Sequence, residues 1–136
     1  RRLLLDTATA DLRPVTVLAV NFCDFGHRLG VVELVARSAG DPGLVAQVLN
    51  RYFLAAQGVI HEYGGAVYKV DTVAFSDRLL AAFGAPFAHE DAELRALEAA
   101  RRLGPALAEA DRTVADLLEA WSAERPDKAR PLGLVA

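Results

Sequence analysis

The chain has 136 residues, of which 53% are hydrophobic and 24% are charged, and its formal net charge is -3. A chain of this length forms one domain of ordinary size, and this composition is typical of folded globular proteins. The slight negative charge argues against nucleic acid or an acidic membrane surface as a partner. No apolar run reaches the roughly 18 residues of a membrane span. The single cysteine, Cys23, excludes an internal disulfide and favours a reducing, cytoplasmic location.

The front of the chain predicts a short leading segment followed by one domain. Residues 1–12 are assigned to the leading segment and residues 13–136 to the domain. The stretch 14–22 is short and rich in β-branched and apolar residues, which predicts a buried strand. Apolar residues at helical spacing predict a helix over 24–38, although two glycines weaken the helix propensity there.

The next predicted helix has clear start and stop signals. Asp41 is a favourable N-cap residue and Pro42 suits the first helical position, so a helix is expected to start here and run to about Tyr63. Gly64 and Gly65 are expected to end it, because glycine accepts the left-handed backbone conformation that is common at helix C-termini. One face of this helix carries apolar residues, which are Leu44, Val48, Leu49, Tyr52, Phe53, Ala56 and Ile60.

The second half of the chain predicts a hairpin and two further helices. Strands are expected over 66–73 and 79–83, joined as a β-hairpin. Helices are expected from residue 89 to about 107 and from 111 to about 124, followed by a strand that starts at 131. Strands interleaved with helices predict an α/β or α+β fold. The order of the elements is that of the ferredoxin-like β-α-β-β-α-β unit.

Three stretches of the chain, taken in order, carry a family resemblance. The first is R-P-V-T-V-L-A-V-N-F-C-D-F at 13–25. The second combines L-N-R-Y-F at 49–53 with I-H-E-Y-G-G at 60–65, and the third combines D-R-L-L-A-A-F-G-A-P at 77–86 with A-H-E-D at 88–91. Together they resemble the class III nucleotide cyclases, the adenylate and guanylate cyclase family. The resemblance implies a ferredoxin-like cyclase-homology domain.

The resemblance also implies a divalent-metal site. Class III cyclases hold Mg²⁺ or Mn²⁺ on two aspartates, and the metal ions activate a ribose hydroxyl and clamp the triphosphate. By position, these aspartates correspond to Asn21 and Asp77. Asparagine brings no charge, so we expect weakened metal binding, and we expect the neighbouring Arg78 to pair with Asp77. The alternative is that Asn21 is an ordinary strand-end residue and Asp77 an ordinary turn residue.

A phosphate-binding loop and a purine-selecting lysine are implied as well. The loop positions are Phe22, Cys23, Asp24 and Phe25. A carboxylate at Asp24 stands where the family has a glycine, and its negative charge opposes a triphosphate. Asp24 could instead replace the carboxylate that is missing at Asn21, or act as an ordinary helix cap. The lysine corresponds most nearly to Lys69, whose alternative interpretation is a solvated strand lysine.

Nothing in the chain resembles the later family segments that supply the transition-state asparagine and arginine. We therefore expect a degenerate cyclase-like domain that serves as a non-catalytic regulatory or dimerisation module of a signalling protein. Its expected partner is a second copy or another cyclase-like domain. The alternative is the catalytic half of a cyclase that makes cAMP or cGMP with a partner domain, with ATP or GTP as substrate and Mg²⁺ or Mn²⁺ as cofactor. A weaker alternative is a sensor that binds nucleotide without turnover.

Overall fold

The computed structural model describes residues 13–22, 25–73, 76–85 and 88–134, so the predicted leading segment lies outside the described residues. The strands are β1 (Thr16–Phe22), β2 (Ala66–Val73) and β3 (Ser76–Phe83). The helices are α1 (Phe25–Ala39), α2 (Gly43–Glu62), α3 (Ala92–Glu124) and the short α4 (Pro126–Ala129), and a 3₁₀ turn (Arg130–Leu132) follows. The chain is therefore a mixed α+β protein. Within the described ranges, no helix is both long and apolar enough to cross a membrane.

The three strands form one antiparallel sheet in the order β1-β3-β2. Because β3 lies between β1 and β2 and is antiparallel to both, β1 and β2 run parallel to each other. The chain passes from β1 to β2 through α1 and α2, and then directly into β3 as the predicted hairpin. β3 begins at Ser76 rather than at residue 79, because Ser76 already pairs with Val73 of β2.

One face of the sheet packs against the helices and forms the core. The inward residues of the central strand, Leu79, Ala81 and Phe83, are at most 1% exposed. On β1 the ring of Phe22 meets Phe53 of α2 edge to face, with the ring centroids 5.5 Å apart. The alternation of buried and exposed residues along β1 follows from the two-residue period of a strand that has only one face covered.

Helix α2 packs against α3 and the sheet, and its predicted apolar face is confirmed. The helix begins at Gly43 and Pro42 is its N-cap residue, one position later than predicted, but the Asp41 carboxylate still accepts a hydrogen bond from the Gly43 N–H at 3.1 Å. Five of the predicted residues are buried, namely Leu44, Val48, Tyr52, Ala56 and Ile60. The other two, Leu49 and Phe53, are partly buried and pack against the core.

A single helix, α3, replaces the two helices expected over 89–107 and 111–124, so that prediction was wrong. Pro105 lies inside α3, where a proline removes a backbone hydrogen bond and costs about 3 kcal/mol. The helix continues because it has buried residues both before and after Pro105 in the sequence, and their packing stabilises both halves. The buried residues are Ala96, Ala99, Leu103, Ala110, Val114, Trp121 and Ser122. The Tyr52 hydroxyl adds a hydrogen bond to Asp111 Oδ1 at 2.5 Å, which ties the second half of α3 to α2.

The prediction of a strand from residue 131 was also wrong as far as residue 134, and residues 135–136 lie outside the described residues. The chain forms the 3₁₀ turn Arg130–Leu132 instead, and the proline at 131 has no N–H to donate to a sheet. Gly133 then adopts a left-handed φ of 73°. The N–H of Leu134 donates to Ala129 O at 3.2 Å, and Leu134 packs against the core. Local turn bonds and burial of the turn's apolar side chains therefore outweigh the apolar, strand-like composition.

The predicted Gly64-Gly65 pair ends α2 and turns the chain into β2. Gly64 has a φ of 81°, and its N–H donates to His61 O at 3.0 Å. The Gly65 N–H donates to Ile60 O at 2.9 Å, which completes the bond pattern of a Schellman motif. A Cβ atom on Gly65 would lie 2.6 Å from Phe83 Cζ. The missing side chain lets the start of β2 lie directly against the buried end of β3.

Gly65→Ala is expected to lower the free energy of unfolding by about 1–3 kcal/mol, because the added methyl group overpacks a filled core. Urea denaturation of the whole chain measures this change. Gly58→Ala is the matched control, since a Cβ there meets no atom within 4 Å and α2 gains a better helix former. The control should leave stability unchanged or raise it by up to about 1 kcal/mol. Equal effects of the two substitutions would contradict the close contact with Phe83.

Candidate functional site

The sheet face opposite the helices carries the described residues of the predicted site, and we call it the open face. Its members are Val17, Ala19 and Asn21 on β1, Arg78, Leu80 and Ala82 on β3, and Lys69 and Asp71 on β2. Val17 is 52% exposed. The others are exposed or half-buried. The open face therefore combines small apolar residues on β1 and β3 with charged residues at the hairpin end of the sheet.

Three residues of the open face form a row across all three strands. Asn21 on β1 lies directly opposite Arg78 on β3, and Arg78 lies directly opposite Asp71 on β2. Residues that are directly opposite in an antiparallel pair have Cβ atoms about 4.5–5.5 Å apart and project from the same face. Arg78 is thus the central residue of the row.

Asp71 is the centre of a cluster of charges. Arg78 Nε donates to Asp71 Oδ1 at 3.2 Å, and Arg78 Nη2 donates to Asp71 Oδ2 at 3.3 Å. Lys69 Nζ lies 3.2 Å from Asp71 Oδ2. The hydrogen bonds from Arg78, assisted by Lys69, hold the pKa of Asp71 below its ordinary value, although partial desolvation acts in the opposite direction. Because two cations share one carboxylate, the cluster carries a net positive charge.

Asp71 was not among the predicted site residues, although the sequence contains a signal for it. Lys69 and Asp71 are two residues apart, which places them on one face of a regular strand. The sequence does not reveal that Arg78 on β3 is the partner of Asp71, because the register between β2 and β3 shifts between Val67 and Lys69. That shift sets Asp71 opposite Arg78 rather than opposite a neighbour of Arg78.

The predicted metal positions Asn21 and Asp77 lie on neighbouring strands, but they are not opposite each other. Asp77 lies opposite Phe22, and Asn21 lies opposite Arg78. The side chain of Asp77 lies outside the described residues, and so does the expected ion pair between Asp77 and Arg78. The described partner of the Arg78 guanidinium is Asp71.

Of the predicted phosphate-loop positions, Phe22 alone has a described side chain. Its ring is 6% exposed and belongs to the core, so the main chain is the part of Phe22 that could face a phosphate. Cys23 and Asp24 lie outside the described residues. Phe25 begins α1, and its side chain also lies outside them. The role of this loop therefore stays a prediction.

Lys69, the predicted purine-selecting residue, lies on the open face next to the position where the register of β2 shifts. Its side chain is 56% exposed, and its ammonium group is paired with Asp71. This pairing holds the lysine on the surface of the sheet beside Arg78, and it is compatible both with a ligand-binding lysine and with a solvated strand lysine.

The described residues of this site do not fit a divalent cation. Mg²⁺ and Mn²⁺ require several oxygen ligands, chiefly carboxylates. In the part of the chain that the structure describes, no group of three or more His, Cys, Asp or Glu side chains is placed to hold a metal ion. Asn21 offers a neutral amide, and Asp71 already binds two side-chain cations.

Comparison with known proteins adds no relative to this account. No protein-family model, curated protein or solved structure matches the chain.

Asp71→Asn is expected to lower the melting temperature at pH 7, because it removes the carboxylate that Arg78 and Lys69 share. The pKa of Asp71 in the folded chain lies below 3.8, its ordinary value. The carboxylate therefore stabilises the folded state above that value, and the stabilisation is lost as the pH falls through the lower, folded-state pKa. The difference in melting temperature between the starting chain and the variant should be largest near pH 7 and should shrink as the pH falls below 3.8.

Thermal melts recorded from neutral to acidic pH measure that difference. Asp116→Asn is the control, since Asp116 is an exposed acid on α3, away from the open face. The control should melt close to the starting chain throughout. A difference for Asp71→Asn that keeps the same size at every pH would contradict an ionic role for Asp71.

Proposed function

We propose that this chain is a degenerate class III cyclase-homology domain that acts as a regulatory or pairing module and does not cyclise nucleotides by itself. Its partner is a second copy or another cyclase-like domain of a signalling protein. A cytoplasmic location belongs to the proposal, in line with the single cysteine. The observation that carries the proposal is the chemistry of the open face, where Asn21 supplies a neutral amide and Asp71 is paired with Arg78 and Lys69.

The order of the strands supports the cyclase-homology part of the proposal. β1 and β2 are parallel and joined through helices, and β3 lies between them. The split β-α-β unit of ferredoxin-like folds has the same strand order, and this agreement supports the proposal. The strand order puts the end of β1 beside the start of β3, so the two positions that the resemblance assigns to metal-binding aspartates fall on adjacent strands.

The chemistry of the open face supports the non-catalytic part of the proposal. Two-metal catalysis of phosphoryl transfer depends on carboxylates that hold both ions close to the reacting oxygens. Asn21 lacks the charge for this role, and the cation of Arg78 is directly across the sheet from it. The net positive cluster around Asp71 repels a divalent ion. A cyclase fold with this surface keeps its shape but loses the chemistry.

The apolar part of the open face supports a pairing role. Val15 is 45% exposed and Val17 is 52% exposed, and Ala19 continues the same strand face towards Asn21. Contiguous exposed apolar residues on a sheet favour association with another surface. A second cyclase-like domain is the partner that the resemblance implies, because cyclase-family sites form between two domains.

Self-association tests the pairing role. In a sedimentation concentration series, the whole chain should shift from monomer to dimer as its concentration rises, and Val17→Glu should stay monomeric because it buries a charge in the interface. Leu97→Glu is the matched control, since Leu97 is 59% exposed but lies on α3, on the helical side of the sheet. A starting chain that remains monomeric at every concentration, or a control that dissociates as completely as Val17→Glu, would contradict this surface.

Nucleotide turnover separates the proposal from the catalytic alternative, which the adjacent-strand position of Asp77 favours. With ATP or GTP and excess Mn²⁺, the purified chain is expected to make no cyclic nucleotide above the level of an Asp77→Ala variant. Chromatographic quantification of cAMP and cGMP measures the product. Product formed by the starting chain and lost in Asp77→Ala would overturn the non-catalytic proposal and establish a working metal half.

A further inference from the structure

We propose that Arg78 is the resident cation of this site: its guanidinium, anchored by Asp71, takes the place of a divalent metal ion on the open face and excludes one. The inference deepens the proposed function and rests on the cyclase-homology fold that it assumes. It explains the disagreement between the metal site implied by the sequence and the residues that the structure places there.

The position of Arg78 is the first argument. Arg78 lies on the central strand, directly between Asn21 on one side and Asp71 on the other. Its side chain is 33% exposed, and two of its nitrogens donate to the two oxygens of Asp71. A bidentate contact of this kind fixes the direction of a guanidinium as well as its distance. The cation is therefore held in the row and does not extend freely into solvent.

Charge is the second argument. A guanidinium keeps its positive charge at every physiological pH, so the row never lacks a cation. The neutral amide of Asn21 is compatible with a neighbour that is already positive and already paired. A carboxylate at that position would lie directly opposite Arg78, and directly opposite residues of unlike charge stabilise a sheet. Restoring the carboxylate alone would thus create an ion pair with Arg78 and would not create a metal site.

Lys69 is a second cation that contacts Asp71, and its effect on metal binding can be compared with that of Arg78. It binds the same carboxylate as Arg78 does, with its Nζ 3.2 Å from Asp71 Oδ2. It lies opposite Leu80, however, and is outside the row that contains Asn21. Neutralising Lys69 removes the same unit of charge from the cluster but leaves the guanidinium in the row. The two cations can therefore be distinguished by experiment.

The test is calorimetric titration of Mn²⁺ alone into the whole chain and three variants: Asn21→Asp, Asn21→Asp with Arg78→Gln, and Asn21→Asp with Lys69→Gln. Asn21→Asp is expected to bind Mn²⁺ no better than the starting chain. Adding Arg78→Gln should tighten binding by at least about ten-fold over Asn21→Asp, because even in bulk water a unit charge about 5 Å from a divalent ion is worth that much. Adding Lys69→Gln should give a clearly smaller gain.

Either of two results would overturn the inference. One is a gain in Mn²⁺ affinity from Asn21→Asp alone that equals the gain of the variant with Arg78→Gln. The other is a gain from Lys69→Gln that matches or exceeds the gain from Arg78→Gln. No gain from Arg78→Gln in a folded protein counts against it as well, and circular dichroism verifies the fold.

A second measurement does not depend on the double variants. Asn21→Asp should raise the melting temperature at low salt, and 1 M NaCl should remove the increase, because the new ion pair is partly exposed and is screened. An unchanged or lower melting temperature would show that a carboxylate at position 21 forms no stabilising ion pair with the Arg78 guanidinium. Sedimentation of the same proteins tests pairing independently, so a failure of this inference can be told apart from a failure of the proposed function.

Discussion

Strand β3 is the constraint on which the rest of the structure depends, because it pairs with a strand on each side and carries both the core and the site. Its inward residues Leu79, Ala81 and Phe83 are almost completely buried beneath the helices. Its outward residue Arg78 is the centre of the row on the open face. Phe83 also fills the space that Gly65 leaves open, which fixes where β2 begins. The core packing that orders β3 therefore also positions the guanidinium.

The two faces of the sheet differ in what they contribute, and this difference is what the proposed non-catalytic function requires. The inner face consists of apolar residues that pack against the helices. The open face carries the residues on which the proposed chemistry would depend, and a substitution at one of its exposed positions generally costs less stability than a substitution in the core. Asn21 on β1 and the bidentate ion pair between β2 and β3 lie on the open face and take no part in the packing of the core. A role in pairing requires the shape of the sheet and its exposed valines, and both are present.

Much of the fold could be predicted because its signals are local. Asp41 and the Gly64-Gly65 pair mark the ends of α2, and the apolar spacing between them identifies its buried face. The break expected in α3 and the strand expected from residue 131 failed because tertiary packing decided both segments. Asp71 was missed for a different reason. Its partner depends on the register shift between Val67 and Lys69, and a shift of one residue changes which side chains share a face.

The central claim is that the open face is a pairing surface and not a catalytic one. Photo-cross-linking tests it most directly, with p-benzoylphenylalanine placed at Val17 on the open face or at Leu97 on α3, two exposed apolar positions on opposite sides of the sheet. The account predicts a covalent dimer from position 17 and none from position 97, each measured on the whole chain under the same illumination. A dimer from position 97 with none from position 17 would contradict the account.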